Sequence, residues 1–273
     1  RIRGPAVINT PDKAGFDLEQ DPGVPYLSNI SFCGTQSGFN RSQAGKEGEG
    51  SLGHSGRELE GMEIAGNTFD YPFIHGKAIQ AAGKYSFVSC SDEAVENGIV
   101  TLEDYPIVDY ILGLEKEDPI AKAYYKTFSS PMQRLITSYC QSGGHLFVSG
   151  AYVGSDMSGT QGNREFTEKV LKYGYQNSQT DKSSGQINGL GRSITIPRLP
   201  NENSYAVTAP DCIVPVAPAF PVFTYARGNQ SAGIAYKGAD YRTFVLGFPF
   251  ESIQSETDRA SIMAGILGFF TQK

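Results

Sequence analysis

Four side chains could carry out acid–base chemistry if the fold brings them to one cleft: His75, Tyr152, Asp156 and Glu251. An imidazole is the commonest general base, and cleavage of a sugar linkage needs an acid and a base, or two carboxylates, facing the same bond. Each residue also has a structural interpretation. His75 follows an aromatic-rich turn and could pack there, and Glu251 could instead favour the N-terminus of the last helix. The sequence leaves open whether the four converge.

Four further residues are candidates for binding. Asn67 and Asp70 precede the histidine by a few positions, and Gly150 and Gly154 flank the tyrosine. We predict no metal site and no cofactor. The acids between residues 12 and 21 lack the spacing of a calcium loop, and none of the four cysteines forms a Cys-x-x-Cys pair.

The elements that would position Tyr152 are a helix, a strand and a tight turn. Ser130 as N-cap and Pro131 at the first helical position predict a helix, which a pair of glycines then ends. The apolar run at residues 145–148 predicts a buried strand. Glycines on both sides of Tyr152, directly after that strand, are typical of a sharp turn at the carboxyl end of a parallel strand, where open α/β sheets place their sites.

The turn at residues 150–154 and the segment 247–253, Gly-Phe-Pro-Phe-Glu-Ser-Ile, together resemble class I glutamine amidotransferases. Those enzymes place a cysteine in a Gly-x-Cys-x-Gly turn, and a histidine and a glutamate in a second loop. In this chain Glu251 matches the glutamate, but Tyr152 stands at the cysteine position and Pro249 at the histidine position. A thiolate nucleophile needs a neighbouring base. We therefore predict a scaffold without the amidotransferase triad.

The resemblance implies a three-layer α/β/α sandwich of the flavodoxin-like kind, with a mostly parallel sheet. The alternation of helix and strand patterns between residues 75 and 173 favours the same class. We expect one α/β domain over residues 1–273, with a glycine-rich loop at 34–56 and an antiparallel β insertion with loops at 177–218.

Some single elements can also be predicted. Residues 85–90 have the composition of a strand. Because proline disrupts a helix interior, Pro72 limits the neighbouring helix to a short one from His75 to Ala82. Ser255 is the expected N-cap of an amphipathic last helix that covers the sheet.

A second resemblance covers nearly the whole chain and is carried by residues 23–26, 39–41, 64–76, 108–116 and 247–253. It is to a group of extracellular Bacteroidetes proteins, often labelled xanthan lyase, in which golvesin-like and fibronectin-type domains are neighbours. That resemblance implies a secreted, periplasmic or cell-surface location, further domains in the same chain, and polysaccharide or peptidoglycan as partner.

Composition narrows the possible partners. A net charge of −6 and the lack of a basic stripe argue against nucleic acid, and no apolar run is long enough to span a membrane. We predict a non-catalytic module of a secreted protein that processes polysaccharide or cell wall. The alternative is a carbohydrate-active enzyme, a lyase like xanthan lyase or a hydrolase, with its site at the carboxyl ends of the strands.

Overall fold

The protein is described here by a computed structural model. The structure describes residues 5–7, 63–65, 71–83, 85–117, 126–181, 183–198 and 204–272. The glycine-rich loop at 34–56 and the candidate binding residues Asn67 and Asp70 lie outside these ranges.

The described chain contains eleven strands and five α-helices. The strands are β1 Pro5–Val7, β2 Glu63–Ala65, β3 Ile107–Gly113, β4 His145–Gly150, β5 Tyr173–Ser178, β6 Gln186–Gly189, β7 Arg192–Thr195, β8 Asp211–Pro215, β9 Phe220–Tyr225, β10 Ser231–Lys237 and β11 Arg242–Leu246. The helices are α1 Tyr71–Ala81, α2 Asp92–Glu96, α3 Ser130–Gln141, α4 Gln161–Phe166 and α5 Glu256–Thr271. A π-helical turn, Thr167–Leu171, continues α4, and 3₁₀ turns lie at Leu102–Asp104 and Phe250–Ser252.

Seven strands form the main sheet, in the order β3-β4-β11-β10-β9-β6-β7. The pairs β3–β4 and β4–β11 are parallel, and the other four neighbouring pairs are antiparallel. The strands β1–β2 and β5–β8 form two separate two-stranded antiparallel sheets. The sheet is therefore mixed, and it curls towards a half barrel.

The prediction of a mostly parallel, flavodoxin-like three-layer sandwich is wrong. Residues 238–241 are all that separate β10 from β11, whereas a parallel pair needs a crossover of about a dozen residues or more. Likewise, two residues join β6 to β7. The segment 177–218, expected as an insertion, supplies both of these strands to the main sheet. Register shifts between β9 and β10 add the local twist that bulges produce.

Several single elements follow their predicted pattern, with shifted ends. Helix α3 is present, but its N-cap is Ser129, whose hydroxyl accepts a hydrogen bond from the Met132 amide at 3.1 Å. Helix α1 begins at Tyr71 rather than His75, because a proline is tolerated in the first turn. Residues 85–90 do not form the expected strand.

Two hydrophobic clusters lie on opposite faces of the parallel strands. Phe147 of β4 belongs to the cluster that α5 covers, while its neighbours Leu146 and Val148 belong to the cluster that α3 covers. Ser255 caps α5 by accepting from the Asp258 amide at 3.1 Å, so the predicted cap and covering role of the last helix are confirmed. Within the described ranges, no helix combines the length and apolarity needed to cross a membrane.

Candidate functional site

His75 lies in α1, over the face of the sheet at β3 and β4. Its Nδ1 is 2.7 Å from Oδ2 of Asp109 in β3, and its Nε2 is 3.3 Å from Oε2 of Glu251, which follows β11. The imidazole is 1% exposed. The fold thus joins residues 34 and 176 positions apart in the chain.

The two carboxylates decide the protonation state of His75. Burial lowers the pKa of the imidazole, but the charge and hydrogen bond of Asp109, together with those of Glu251, outweigh burial and raise the pKa to about 9. Both ring nitrogens are then N–H donors at neutral pH. A protonated imidazole enclosed between two acceptors cannot remove a proton from a substrate.

Glu251 has a second buried partner. The Tyr205 hydroxyl donates to Oε1 of Glu251 at 2.7 Å, and burial, followed by the charge of this carboxylate, raises the pKa of Tyr205 well above its usual value. The Tyr71 ring packs against Tyr205 with its centroid 5.4 Å away. A Cβ at Gly113, where φ is +55°, would lie 3.3 Å from Oε1 and 3.0 Å from the Tyr71 ring, so the close approach of the chain favours glycine there.

Aromatic rings enclose the charged group. The Phe250 ring meets His75 edge-on at 4.7 Å between centroids, and Phe147 lies 6.1 Å from it. We call Asp109, His75, Glu251 and Tyr205 the histidine cluster. Its polar atoms are linked in one chain, and three of its members, His75, Glu251 and Tyr205, are buried, where electrostatic interactions are stronger than in water.

Two members of the histidine cluster, Asp109 and Tyr205, are not among the candidates predicted from the sequence. Asp109 interrupts an apolar strand, and a carboxylate in such a strand is itself a signal for a buried partner. Its Oδ1 is buried and has no hydrogen-bond partner in the part of the chain that the structure describes. Tyr205 follows a proline-rich stretch that gave no comparable signal.

Tyr152 lies in the turn after β4 but makes no hydrogen bond to His75 or Glu251. The Lys116 ammonium lies 4.6 Å from the centre of its ring. Burial raises the pKa of Tyr152, and a hydrogen bond with the Thr208 side chain opposes that shift. The phenol is therefore packed and protonated at neutral pH.

The structure places Asp156 in a separate set of contacts. Its carboxylate accepts from the Thr127 hydroxyl at 2.6 Å, the Thr127 amide at 3.0 Å and the Glu117 amide at 3.1 Å, and it pairs with Lys126 at 3.2 Å. Asp156 therefore ties two neighbouring loops to the turn. It does not join the histidine cluster.

Gly150 and Gly154 shape the turn itself. A Cβ on Gly150 would lie 2.7 Å from Cβ of Leu112, so a side chain there would collide with β3. The amides of Gly154 and Ser155 both donate to Oδ2 of Asp211, at 2.8 and 2.7 Å. Two adjacent amides aimed at one point could hold an oxyanion. Here the chain fills that position with its own carboxylate.

Asp211 is fully buried at this turn. The Ser178 hydroxyl donates to its other oxygen at 2.8 Å. Burial raises the pKa of Asp211 to about 6, although the amides and the hydroxyl pull it down. We call Asp211, its two amide donors and Ser178 the turn cluster. Among the described residues, no group of three or more His, Cys, Asp or Glu side chains is placed to hold a metal ion.

The sequence matches no protein-family model and no curated protein. Solved structures show weak similarity. The GH42 β-galactosidase Gan42B gives a TM-score of 0.44 at 9% identity, over 64% of this chain and 23% of that one. The exo-β-1,4-mannosidase Op5Man5 from Opitutaceae bacterium strain TAV5 gives 0.48 at 9% identity, over 74% and 31%. The mmIFT52 N-terminal domain gives 0.45 at 15% identity, over 71% and 88%.

The chain thus corresponds to less than a third of the length of either glycosidase. The similarity to domains of glycoside hydrolases is weak and at low identity, and it assigns no activity.

Proposed function

We propose that this chain is a non-catalytic module of a secreted, periplasmic or cell-surface protein that processes polysaccharide or cell wall. In this role it binds or positions material on which neighbouring domains act. The resemblance of residues 64–76 and 108–116 to extracellular Bacteroidetes chains supports the location and the class of partner.

One observation carries the non-catalytic part of the proposal. His75 is buried, both of its ring nitrogens are engaged by carboxylates, and the pKa of the imidazole is raised to about 9. The best general-base candidate is thereby a buried cation that holds α1 against the sheet. The turn after β4 supports the same interpretation, because Asp211 occupies its two converging amides.

A binding and cleavage assay on the purified chain tests the proposal. We expect retention on polysaccharide or peptidoglycan without release of new reducing ends or unsaturated products. Chain cleavage by the wild-type protein that Glu251→Gln abolishes, with the fold intact by circular dichroism, would contradict the non-catalytic assignment. Failure to bind any glycan would contradict the module's partner class.

A carbohydrate-active enzyme is the second candidate. The observation in its favour is that His75 and Glu251 meet 3.3 Å apart, with Glu251 beyond the carboxyl end of β11. In that case His75→Ala and Glu251→Gln should each remove activity that the folded wild-type protein shows. Unchanged activity in both variants would exclude this pair as its catalytic residues.

A further inference from the structure

An open groove crosses the sheet at its antiparallel end, far along the strand order from the histidine cluster. Its volume is about 600 Å³. Strands β6, β7 and β9 form its floor, and the lining includes Asn188, Ser193, Pro221, Val222 and Thr224.

Three polar side chains of this groove stand in one row. Asn188 pairs in register with Ser193 on one side and with Thr224 on the other. The neighbouring side chains Ile187 and Ile194 are buried on the opposite face, as strand alternation requires. With strands about 4.8 Å apart, the row spans roughly 10 Å. We call Asn188, Ser193 and Thr224 the polar row.

The hydrogen-bonding capacity of the polar row is largely unused. Among the described residues, neither Asn188 nor Thr224 makes a side-chain hydrogen bond. The Ser193 hydroxyl oxygen accepts from the side-chain Nε2 of Gln186 at 2.8 Å, which leaves the hydroxyl proton free to donate. Donors and acceptors are thus both available, beside the apolar wall that Pro221 and Val222 provide.

The described lining of the groove carries no unbalanced charge. Arg192 is the one ionic residue among its described lining, and its guanidinium is 2.7 Å from Oδ1 of Asp258 in α5. An anionic ligand would meet no free cation here. A chain of neutral sugars offers what the groove can satisfy: hydroxyls for the polar row and C–H faces for the apolar wall.

We propose that the polar row is the binding site for a neutral polysaccharide. This inference rests on the proposed function, and it names the site and the ligand class. The sugar chain lies across β6, β7 and β9, so binding is separate from the histidine cluster.

The test measures binding of the full chain to immobilised neutral glucan, mannan and galactan, and to polygalacturonate and peptidoglycan. The double variant Asn188→Ala/Thr224→Val removes an amide and a hydroxyl from the row while keeping the β-branched shape at position 224. The matched control, Gln80→Ala/Ser86→Ala, removes the same groups from exposed positions elsewhere.

We expect the wild type and the control to bind one of the neutral glycans equally, and the row variant to bind it at least tenfold more weakly with unchanged thermal stability. Wild-type affinity in the row variant, or preference for the charged glycans, would overturn this site and leave the proposed function standing. Retention of no glycan at all would overturn both.

Discussion

Two buried carboxylates, Glu251 and Asp211, are held in different ways. Glu251 faces a cation, the imidazolium of His75, and a tyrosine hydroxyl. Asp211 faces two amides and a serine hydroxyl, all of them neutral. Neutral donors compensate less of the desolvation of a charge than an opposite charge does. The pKa of Asp211 is accordingly raised to about 6, while in the histidine cluster it is the cation whose pKa rises, to about 9.

The comparison separates two ways of closing a site. At the turn after β4, the chain fills a potential oxyanion position with an acid of its own. Over the face of the sheet, it surrounds a potential base with acids. Both arrangements take groups with catalytic potential and use them to hold elements together, which is consistent with the proposed binding role.

The largest effect is expected from His75→Ala. Removal of the imidazolium leaves the buried Glu251 and the half-buried Asp109 without their shared cation, so the free energy of unfolding should fall by about 3–5 kcal/mol. Urea unfolding at pH 7 measures this change. His145→Ala is the control: that ring is half-buried and stacks on Phe270, and its loss should cost about 1 kcal/mol. Equal losses in the two variants would contradict the charge-based account.

The pH dependence of stability should show His75 directly. The pKa of His75 is about 9 in the fold, against an ordinary value of 6.5, so its contribution to stability is complete below pH 6.5 and is lost as the pH rises through 9. The loss amounts to about 3 kcal/mol. Comparison of wild type with His75→Ala from pH 6 to 10 measures it. Parallel curves would contradict the predicted linkage.

Asp211 should also make the protein less stable as the pH rises, but in a lower pH range. Its pKa is raised from 3.8 to about 6, so the folded state holds this proton more tightly, and the stability that protonation provides is lost as the pH rises from about 4 to 6. The loss is about 3 kcal/mol. Asp211→Asn cannot ionise, so its free energy of unfolding should rise relative to that of the wild type as the pH increases across that interval. A constant difference between the two unfolding curves would refute the assignment.

The turn cluster and the histidine cluster differ in how far the sequence predicts them. The glycines around Tyr152 and the strand before it predicted the turn because they are local signals. That Asp211 would fill the turn was not predictable, since it lies 56 residues beyond Ser155 and its position depends on the β5–β8 pair. His75 and Glu251 were chosen for their chemical type. Asp109, which binds His75, was not a candidate because it lies within the apolar strand β3.

The predicted direction of the strands in the sheet was wrong for a related reason. The helix–strand alternation up to residue 173 describes the chain around β3 and β4, which are indeed parallel neighbours. The remaining strands come from the second half of the chain, where short turns force antiparallel pairing. The amidotransferase resemblance implied a mostly parallel sheet and took no account of the short connection at residues 238–241 between β10 and β11.

The smallest effect, of opposite sign, is expected at Ser149. Its hydroxyl is fully buried in β4 and has no hydrogen-bond partner in the described structure, unlike every donor in the two clusters. Ser149→Ala should raise the free energy of unfolding by about 1 kcal/mol. Ser252→Ala is the matched control, because that buried hydroxyl donates to the Pro249 carbonyl at 2.6 Å and its loss should destabilise. Destabilisation by both would show that Ser149 has a partner.

The protonation state of His75 tests the account most directly. A nuclear magnetic resonance titration of the imidazole nitrogens, with His75→Ala used to assign the signal, reports it without reference to activity or stability. We predict two protonated nitrogens at pH 7 and a midpoint near pH 9. A neutral ring at pH 7, or a midpoint near the ordinary imidazole pKa of 6.5, would contradict the buried cation and restore His75 as a candidate base.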